Sequence, residues 1–288
     1  MRLGLLVSGN LGHIVLNFLD ANYPIIFVMT DKNSERIIEF CKNKKIRYFV
    51  GNPRGGRCTT FIQNFEIEVL ISINYLFLID KDLISLPEKM AFNIHGSLLP
   101  KYRGRTPHVW AIINNEKETG ITAHQIDDGC DTGDIIQQVV IPIKENETGA
   151  DILNKFNESY IPLIKSVLNK ITNKTIVLKR QDHNKATFFG KRTPDDGQIN
   201  WNWQKERIRN WVRAQAYPYP GAFTLLDEEK IIIDEISFED KAYRYDMPNG
   251  LVLSVNPILI KTPNGVVKLN RIRGIKVSIE LNQILKSI

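Results

Sequence analysis

Short apolar runs alternate with amphipathic stretches through the first third of the chain. Each apolar run has the length of a buried strand, and the stretches between them carry apolar residues at helical spacing. Strands separated by helices require right-handed crossovers, so the pattern predicts a mostly parallel sheet with helices on both faces. The predicted strands are 3–7, 24–29, 46–50, 69–73 and 91–94, and the predicted helices are 11–19 and 34–43.

The same pattern continues as far as residue 171 and then changes. A turn-rich connector covers 188–197, and beyond a last helix only short strand-like runs occur, with Asn249-Gly250 and Asn264-Gly265 as hairpin signals. The chain therefore belongs to the α/β class, with a large domain over 1–200 and a linker helix and small all-β domain over 201–288. An open, OB-like barrel is one arrangement for such strands. The later predicted helices are 106–115, 150–171 and 205–216, and the later predicted strands are 121–126, 135–141, 222–226, 230–236, 250–255, 258–261 and 266–272.

Composition adds a charge asymmetry to this picture. Hydrophobic residues make up 43% and charged residues 24% of the 288, a globular balance that excludes a disordered or fibrous chain. The net charge of +6 lies mostly in the tail that starts at Gly250, which holds six basic residues and one acid, Glu280. A basic tail of this kind is the footprint expected of an anionic partner. The six basic residues are Lys261, Lys268, Arg271, Arg273, Lys276 and Lys286.

Cysteine usage and hydropathy indicate a cytoplasmic protein. Three cysteines, Cys41, Cys58 and Cys130, are too few for a disulfide framework and have no metal-ligand spacing. The apolar start is too short for a signal-peptide core, and the longest apolar run, 69–79, falls short of the roughly 20 residues of a membrane helix. We expect no membrane segment and no metal site.

Asn93 and His95 are the first candidate functional residues. They lie two positions apart at the end of the predicted strand 91–94, so their side chains share one face of the sheet. In open parallel sheets, sites form beyond the carboxyl ends of the strands. An isolated Asn-x-His also fits a plain strand end, in which Asn93 caps the strand and His95 binds a backbone carbonyl.

A second polar cluster, residues 127–134, follows the predicted strand 121–126. Four acids around two glycines also fit a solvated turn, with the glycines supplying positive φ. Asp131 lies between Gly129 and Gly133 and has the best placement for pointing inward. The two clusters together predict a site in which an amide, an imidazole and a carboxylate meet.

These residues at these spacings resemble the formyltransferases that use 10-formyltetrahydrofolate. The resemblance covers most of residues 1–225. It implies a Rossmann-like catalytic domain over 1–200, a small β-rich C-terminal domain and a homodimer. The motifs that carry it are Asn93-Ile-His95, Ser97-Leu-Leu-Pro100, Arg103-Gly104, Asp131-Thr-Gly133, the segment 189–196 and the segment 216–222.

The resemblance implies a catalytic triad of Asn93, His95 and Asp131. In that chemistry a primary amine attacks the formyl carbon, and Asn93 donates an amide N–H to the oxyanion, which is worth about 3 kcal/mol. His95 relays the proton from the amine toward the leaving nitrogen. Asp131 orients the ring and favours its protonated form. No metal or nucleophilic residue is needed.

The resemblance also implies how the folate co-substrate is held. Backbone groups of 77–79 and 127–131 bind the pterin, and the segment 97–100 lines the site together with Arg105. Phe77 fits plain core packing equally well. The expected cofactor-binding residues are Phe77, Leu78, Ile79, Ser97, Leu98, Leu99, Pro100, Arg105, Asp127, Asp128, Gly129 and Cys130.

The loop after Pro100 indicates the amine. Arg105 and Trp110 are similar to the branch that formylates amino sugars carried on a nucleotide diphosphate, whereas the methionyl-tRNA enzymes usually have a small residue at the position of Arg105. The segment 188–192 sets aromatic rings beside two cations, which suits a base and a diphosphate, and it also fits a connector packed between domains. The branch implies a dTDP-linked 3- or 4-amino-dideoxyhexose destined for lipopolysaccharide O-antigen. The expected substrate-binding residues are Tyr75, Lys101, Trp110, Phe189, Lys191 and Arg192.

Three alternatives remain. A methionyl-tRNA formyltransferase fits the basic tail, because a basic β domain suits a phosphate backbone. Glycinamide-ribonucleotide formyltransferase shares the triad and a glycine-rich turn resembling 8–12, but it lacks a C-terminal β module. A nucleic-acid-binding module with a vestigial α/β domain requires a damaged triad, whereas all three triad residues are present.

Other polar and aromatic residues have structural explanations. We expect His108 and His124 to be helix-start and strand residues with satisfied hydrogen bonds rather than ligands. Trp201, Trp203 and Trp211 are expected to pack in the core and between domains.

Overall fold

The computed structural model describes residues 1–226, 228–274 and 278–287. The backbone divides into two compact units, each built from three stretches of chain. The first consists of Met1–Gly104, Gly120–Ile141 and Lys155–Phe189, and the second of Arg105–Thr119, Pro142–Asn154 and Gly190–Ile288. The predicted domain boundary at residue 200 stays a prediction.

A mostly parallel sheet forms the centre of the first unit. Its strands up to 95 pair in parallel, as predicted, and the last of these pairs antiparallel with the strand that begins at Glu118. The strands up to residue 189 are β1 (Leu3–Val7), β2 (Ile25–Thr30), β3 (Arg47–Val50), β4 (Val69–Ile73), β5 (Met90–His95), β6 (Arg103–Gly104), β7 (Glu118–Gln125), β8 (Ile135–Pro142) and β9 (Phe188–Phe189). The sheet order is β3-β2-β1-β4-β5-β7-β8, and β6 pairs separately with β9.

Five predicted helices are confirmed to within two residues at each end. Two further helices have only four residues each and are too short to leave a periodic pattern in the sequence. No helix in the described ranges is long and apolar enough to cross a membrane. The helices are α1 (Gly9–Asp20), α2 (Glu35–Lys44), α3 (Thr59–Ile62), α4 (Lys81–Ile84), α5 (Pro107–Ile113), α6 (Gly149–Thr172) and α7 (Lys205–Ala214).

Alternation along β1 explains why helices cover both faces of the sheet. On one face α1 packs closely on Val7, because a Cβ at Gly12 would lie 3.1 Å from the Val7 Cβ. The neighbouring Leu6 points the opposite way and joins a buried cluster with Phe27, Ile62 of α3 and Leu83 of α4. The predicted two-sided arrangement is therefore confirmed.

The long helix α6 is amphipathic and packs on the sheet. Ser166 Oγ lies 2.9 Å from Gln137 Oε1 of β8, and the Tyr160 hydroxyl lies 3.5 Å from the Ile94 carbonyl oxygen of β5. Its buried side chains recur every three or four residues, as one face of a helix requires. They are Ile152, Phe156, Tyr160, Leu163, Ile164, Val167, Leu168 and Ile171.

The second unit contains the predicted all-β module. Its five strands form an open antiparallel sheet in the described residues, and α7 packs on that sheet and on α5. The strands are β10 (Ala222–Leu226), β11 (Glu229–Glu239), β12 (Val252–Val255), β13 (Ile258–Thr262) and β14 (Gly265–Arg273), in the order β10-β11-β14-β13-β12.

One of the two predicted hairpins forms. Asn264-Gly265 joins β13 to β14, with Thr262 paired to Gly265. The prediction at Asn249-Gly250 is wrong, because no hairpin between paired strands turns there. Gly250, at φ 83°, instead lets two backbone segments approach: a Cβ there would lie 2.7 Å from the Leu285 carbonyl oxygen.

Internal partners hold part of the basic tail. The Lys261 ammonium is buried and donates to Asn249 Oδ1 at 2.8 Å. Arg273 Nε donates to Asp234 Oδ2 at 2.7 Å, and its guanidinium also donates to the Tyr219 and Pro220 carbonyl oxygens. Lys276 lies outside the described residues. The charge count of the tail therefore overstates the cations available to a partner.

A buried polar cluster holds the connector that follows α6. The Arg103 guanidinium, 2% exposed, donates to Gln181 Oε1 at 2.6 Å. Gln181 Nε2 donates in turn to the carbonyl oxygens of Asp131 at 3.0 Å and Gly133 at 2.6 Å. One glutamine amide thus links a buried cation to two backbone acceptors from distant parts of the chain.

Replacing Gln181 by methionine keeps the length of the side chain and removes all three hydrogen bonds. We expect Gln181→Met to lower the free energy of unfolding by roughly 2 to 4 kcal/mol, because buried charged and carbonyl groups lose their partners. Urea unfolding followed by circular dichroism measures the loss. The matched control is Gln63→Met at an exposed position. Equal stability of the two variants contradicts this role of Gln181.

His108 is a buried histidine of the second unit. Its Nε2 lies 2.8 Å from the Tyr219 hydroxyl oxygen, so its hydrogen bonding is satisfied as expected. Burial lowers the pKa of His108 to about 4, because the imidazolium form loses its hydration. In the unfolded chain a histidine titrates near its ordinary value of about 6.5, so the unfolded state takes up the proton first as the pH falls.

The stability of the second unit should therefore fall between pH of about 6.5 and about 4. From pH 7 to 4.5 we expect the His108 contribution to cost roughly 2 to 3 kcal/mol. The measurement is urea unfolding of the wild type and of His108→Gln, whose amide still pairs with a hydroxyl, at both pH values. The variant should lose less stability on acidification. An identical pH slope for both proteins argues against this assignment.

Candidate active site

Antiparallel pairing of β5 with β7 builds the first part of the site. Asn93 lies directly opposite His124, and His95 lies opposite Thr122. Opposed residues on antiparallel strands project to the same face, so the His124 ring is beside the Asn93 amide. Asn93 Nδ2 is 3.1 Å from His124 Nε2.

His95 is held by the backbone of the following loop. Its Nε2 lies 2.8 Å from the Tyr102 carbonyl oxygen. A carbonyl only accepts hydrogen bonds, so Nε2 carries a proton and the neutral ring has its lone pair at Nδ1. That Nδ1 lies 3.5 Å from Asp131 Oδ2, and the His95 side chain is only 9% exposed.

Asp131 completes the predicted cluster from the loop after β7. Its backbone has φ 56°, and its Oδ2 accepts the Gly104 N–H at 3.0 Å. Its other oxygen, Oδ1, lies 3.6 Å from His124 Nε2. Gly133 gives the loop its close return to β7, because a Cβ there would lie 2.0 Å from the Gln125 carbonyl oxygen. Asp131 therefore lies beside His95, as the sequence predicts, and His124 connects it to Asn93.

Burial and local charge set the protonation of the pair. Burial opposes ionisation of Asp131, but His95, His124 and the Gly104 N–H lower the pKa of this carboxyl well below its usual range. Burial lowers the pKa of His95, while Asp131 and the Tyr102 carbonyl offset only part of the shift. A neutral imidazole thus faces an ionised carboxylate. Asp131 raises the pKa of His95, as expected of a carboxylate that favours the protonated ring, but burial has the larger effect.

Thr122 and Gln138 hold the loop after β5. The Thr122 hydroxyl donates to the Ser97 carbonyl at 2.6 Å and accepts the Leu99 N–H at 3.2 Å. Gln138 Nε2 donates to the Leu99 carbonyl at 3.0 Å. The Ser97 hydroxyl is used internally, since it donates to the Lys101 carbonyl at 2.7 Å. The expected cofactor segment 97–100, which includes Leu98 and Pro100, is therefore a tightly held loop beside the triad.

The two expected pterin segments lie next to each other. Lys81, two residues after the segment 77–79, forms an ion pair of 3.3 Å with Asp128 of the segment 127–131. Within 77–79, Leu78 is exposed whereas Ile79 packs on the buried cluster of the first unit. Asp127 is turned into its own loop, where it accepts from the Gly129 N–H and the Thr132 hydroxyl. The residues Asp128, Gly129 and Cys130 are exposed, and Phe77 stacks edge-on with Tyr75 at 5.5 Å.

The expected substrate residues lie in both units. In the first, Phe189 stacks on the Tyr102 ring at 5.0 Å, Lys101 is exposed, and the Tyr75 hydroxyl donates to the Gly51 carbonyl. In the second, Arg105 and Lys191 are exposed. The Arg192 guanidinium there lies between Trp110, at 5.0 Å, and Trp211, at 4.4 Å.

Arg192 also makes hydrogen bonds within the second unit. It donates to the Asp196 carbonyl at 2.7 Å and to Gln215 Oε1 at 3.1 Å. Trp211 and Trp203 pack edge to face at 4.9 Å, and Trp201 is fully buried, so packing within the core is confirmed for Trp201 and Trp211. The described residues contain no group of three or more histidine, cysteine or acidic side chains that fits a metal ion.

Sequence reasoning missed His124, Thr122 and Gln181 as parts of the site. Thr122 and His124 are two positions apart on β7, so their side chains share one face of the sheet. That this is the face of Asn93 and His95 follows only from the antiparallel register of β7 with β5, which the sequence does not give. Gln181 lies in an irregular segment 50 residues beyond Asp131, where no periodicity marks it.

Comparison with known proteins bears on this arrangement. The family model described as formyl transferase matches residues 18–168, and the model of the formyl transferase C-terminal domain matches residues 191–287. The bifunctional polymyxin resistance protein ArnA of Wigglesworthia glossinidia brevipalpis is 32% identical over 262 residues. That match covers 87% of this chain and 39% of ArnA, so the chain spans well under half of this relative.

Solved structures share the fold. WlaRD, a sugar 3-N-formyltransferase solved with dTDP and 5-N-formyl-THF, is 24% identical with a TM-score of 0.70, over 94% of this chain and 98% of its own. The N-formyltransferase from Helicobacter canadensis, solved with folinic acid and dTDP-3-aminofucose, is 23% identical with a TM-score of 0.72, over 93% of this chain and 98% of its own. At sequence identities of 24% and 23%, the similarity to these two structures shows a shared fold.

The two family models identify the family of the chain, which the structural similarities do not. They match the sheet-bearing part of the chain and the C-terminal β module separately, in the order in which the motifs predict them. Since the first model alone spans residues 18–168 of the 288, the chain belongs to the formyl transferase family.

Proposed function

We propose that this chain transfers a formyl group from 10-formyltetrahydrofolate to the primary amine of a nucleotide-linked amino sugar. The observation that carries the proposal is the cluster formed by Asn93 and His95 of β5 with Asp131 of the loop after β7, in which Asp131 Oδ2 lies 3.5 Å from His95 Nδ1. An amide donor, a neutral base and a fixed anion are the groups that acyl transfer to an amine requires.

Asn93 supplies the electrostatic part of the reaction. The amine attacks the formyl carbon, a C–N bond forms, and negative charge develops on the formyl oxygen. The Asn93 amide, held on a strand and hydrogen-bonded to His124, presents its N–H without reorganising. As the bond from the formyl carbon to the tetrahydrofolate nitrogen breaks, the charge returns to the new amide.

His95 moves the proton. Its Nδ1 is the basic atom of the neutral ring, and the lowered pKa of His95 keeps that atom free to accept the proton that the attacking amine releases. Asp131, 3.5 Å away, stabilises the imidazolium while it exists. The proton then passes to the leaving tetrahydrofolate nitrogen, so the site returns to its starting state.

The two exposed loops beside the triad fit a pterin ring. In the loop at 127–130 the Asp127 side chain is turned onto its own Thr132, whereas Asp128, Gly129 and Cys130 are exposed. Leu78 of the neighbouring segment 77–79 is 48% exposed and offers an apolar contact. A heteroaromatic ring with donors and acceptors along its edge suits such a site. The expected contacts at 97–100 and Arg105 stay part of the proposal.

Two kinds of observation favour an amino sugar as the acceptor. WlaRD and the Helicobacter canadensis enzyme, which share the fold over more than nine tenths of the chain, were solved with dTDP or a dTDP amino sugar. The chain also carries aromatic and cationic side chains suited to a base and a diphosphate, among them Phe189, Trp110 and Lys191. The Arg192 guanidinium lies between two indoles, those of Trp110 and Trp211.

The basic tail gives little support to a tRNA acceptor. Two of its six cations, Lys261 and Arg273, are engaged with Asn249 and Asp234. A sequence-independent phosphate footprint needs several cations that are free to displace counterions. We therefore keep methionyl-tRNA as the competing substrate in the test.

The remaining expectations concern the localisation, the oligomeric state and the pathway of the protein. We propose a cytoplasmic homodimer whose product is a building block of a surface polysaccharide such as lipopolysaccharide O-antigen. Analytical ultracentrifugation tests the dimer, and loss of the formylated sugar from surface polysaccharide after deletion of the gene tests the pathway.

A panel of acceptors tests the substrate class. The protein is incubated with 10-formyltetrahydrofolate and either dTDP- and UDP-linked 3- and 4-amino sugars or charged initiator tRNA. We expect mass spectrometry to show formylation of at least one nucleotide sugar, with the tRNA unchanged. Formylation of the tRNA alone overturns the amino-sugar assignment, and formylation of neither overturns both.

Triad variants test the mechanism. We expect His95→Asn to lower kcat by 10²-fold or more, because the proton carrier is lost, and Asn93→Ala to lower it by about 10²- to 10³-fold. Binding of 5-formyltetrahydrofolate, followed by calorimetry, should change little in both. The matched control is His13→Asn on α1, an Asn substitution of a histidine that pairs with Asn17. Wild-type turnover by His95→Asn is incompatible with the mechanism.

A further inference from the structure

His124 and Asn93 form a directed pair across β5 and β7. They are opposed in the antiparallel register, and Asn93 Nδ2 lies 3.1 Å from His124 Nε2. The His124 side chain is 4% exposed, so water does not replace this contact. The amide of Asn93 therefore has one fixed polar neighbour on the β7 side.

The backbone determines which ring nitrogen of His124 carries the proton. His124 Nδ1 is 2.7 Å from the Gln125 carbonyl oxygen. A carbonyl has no hydrogen to give, so Nδ1 is the donor and the neutral ring presents a lone pair at Nε2. An acceptor at Nε2 requires a donor opposite it, and Asn93 meets that requirement only with its NH₂ group.

This fixes the direction of the Asn93 amide. One N–H bonds to His124, and the other remains for the formyl oxygen. If the amide turned by half a rotation, its carbonyl oxygen would take that place and oppose the developing negative charge. From this geometry we infer that His124 is a positioning residue that sets the orientation of the Asn93 side-chain amide; the inference rests on the proposed function.

The Asp131 carboxylate beside His124 allows a second arrangement of the Asn93 amide, which can be distinguished from the first. Asp131 Oδ1 lies 3.6 Å from His124 Nε2, and His95 lies on the other side of the same carboxylate. A proton on His124 Nε2 would pair with Asp131 and turn the Asn93 oxygen toward the ring. The Gly104 N–H, at 3.0 Å, bonds the other carboxylate oxygen, Asp131 Oδ2. The two arrangements differ in the position of a single proton, which is measurable.

Nitrogen NMR on the ring measures that position without turnover. The chain has five histidines, so the signals missing from ¹⁵N-histidine-labelled His124→Gln assign His124. At about pH 8, where an ordinary imidazole is neutral, we expect His124 to be protonated at Nδ1 and not at Nε2. A proton on Nε2, in either the neutral or the charged ring, overturns the inference.

Kinetics test the effect on catalysis. His124→Phe keeps the ring and removes the acceptor, and we expect kcat to fall 10- to 100-fold, a part of the full loss of an oxyanion donor. The KM for both substrates should stay within about twofold, since neither is bound through His124. His124→Gln places an amide oxygen near the Nε2 position and should recover part of kcat. The matched control is His13→Phe on α1.

A double-mutant cycle separates positioning from a structural role. If His124 acts through Asn93, His124→Phe should have no further effect on kcat in an Asn93→Ala background. Independent multiplication of the two losses, or wild-type kcat in His124→Phe, overturns the inference. If no amine is formylated by the wild type, the proposed function fails, and the NMR result still decides whether His124 holds the amide.

Discussion

The site depends on one backbone interaction, the antiparallel pairing of β5 with β7 at the point where the run of parallel strands ends. This pairing sets His124 against Asn93 and Thr122 against His95. One strand therefore supplies the reacting side chains, and its neighbour supplies the groups that hold them and the loop that follows. A parallel neighbour would have needed a long crossover connection, usually a helix, before it could pair with β5.

Burial governs the chemistry of the paired groups. The same low exposure that lowers the pKa of His95 also strengthens each contact to the Asp131 carboxylate. Hydrogen bonds from the backbone, at Gly104 and Tyr102, decide which atom of each side chain is free. Side-chain identity provides the functional groups, and the main chain assigns their roles.

Much of this was predictable from sequence, for identifiable reasons. The strand and helix periods located β1 to β5 and five of the helices, and the i, i+2 spacing placed Asn93 and His95 on one face. Pairing direction leaves no period of its own, so the sequence pattern indicates only an ordinary strand residue at His124. The Asn249-Gly250 pair is typical of a hairpin because Gly250 can adopt a positive φ. The structure uses that positive φ for a close approach of two backbone segments instead. Charge counts failed in the tail because they ignore internal partners such as Asp234.

The Arg103–Gln181 cluster has a consequence for how the protein is made. The loop that carries Asp131 is anchored by a residue 50 positions later, and Arg103 finds its acceptor 78 positions later. During synthesis the strands of the sheet emerge well before Gln181 does. Until that glutamine leaves the ribosome, the nascent chain holds a cation and two carbonyl groups that have no buried partner. The hydrogen bonds that anchor the Asp131 loop to Gln181 can therefore form only after all strands of the seven-stranded sheet have been synthesised.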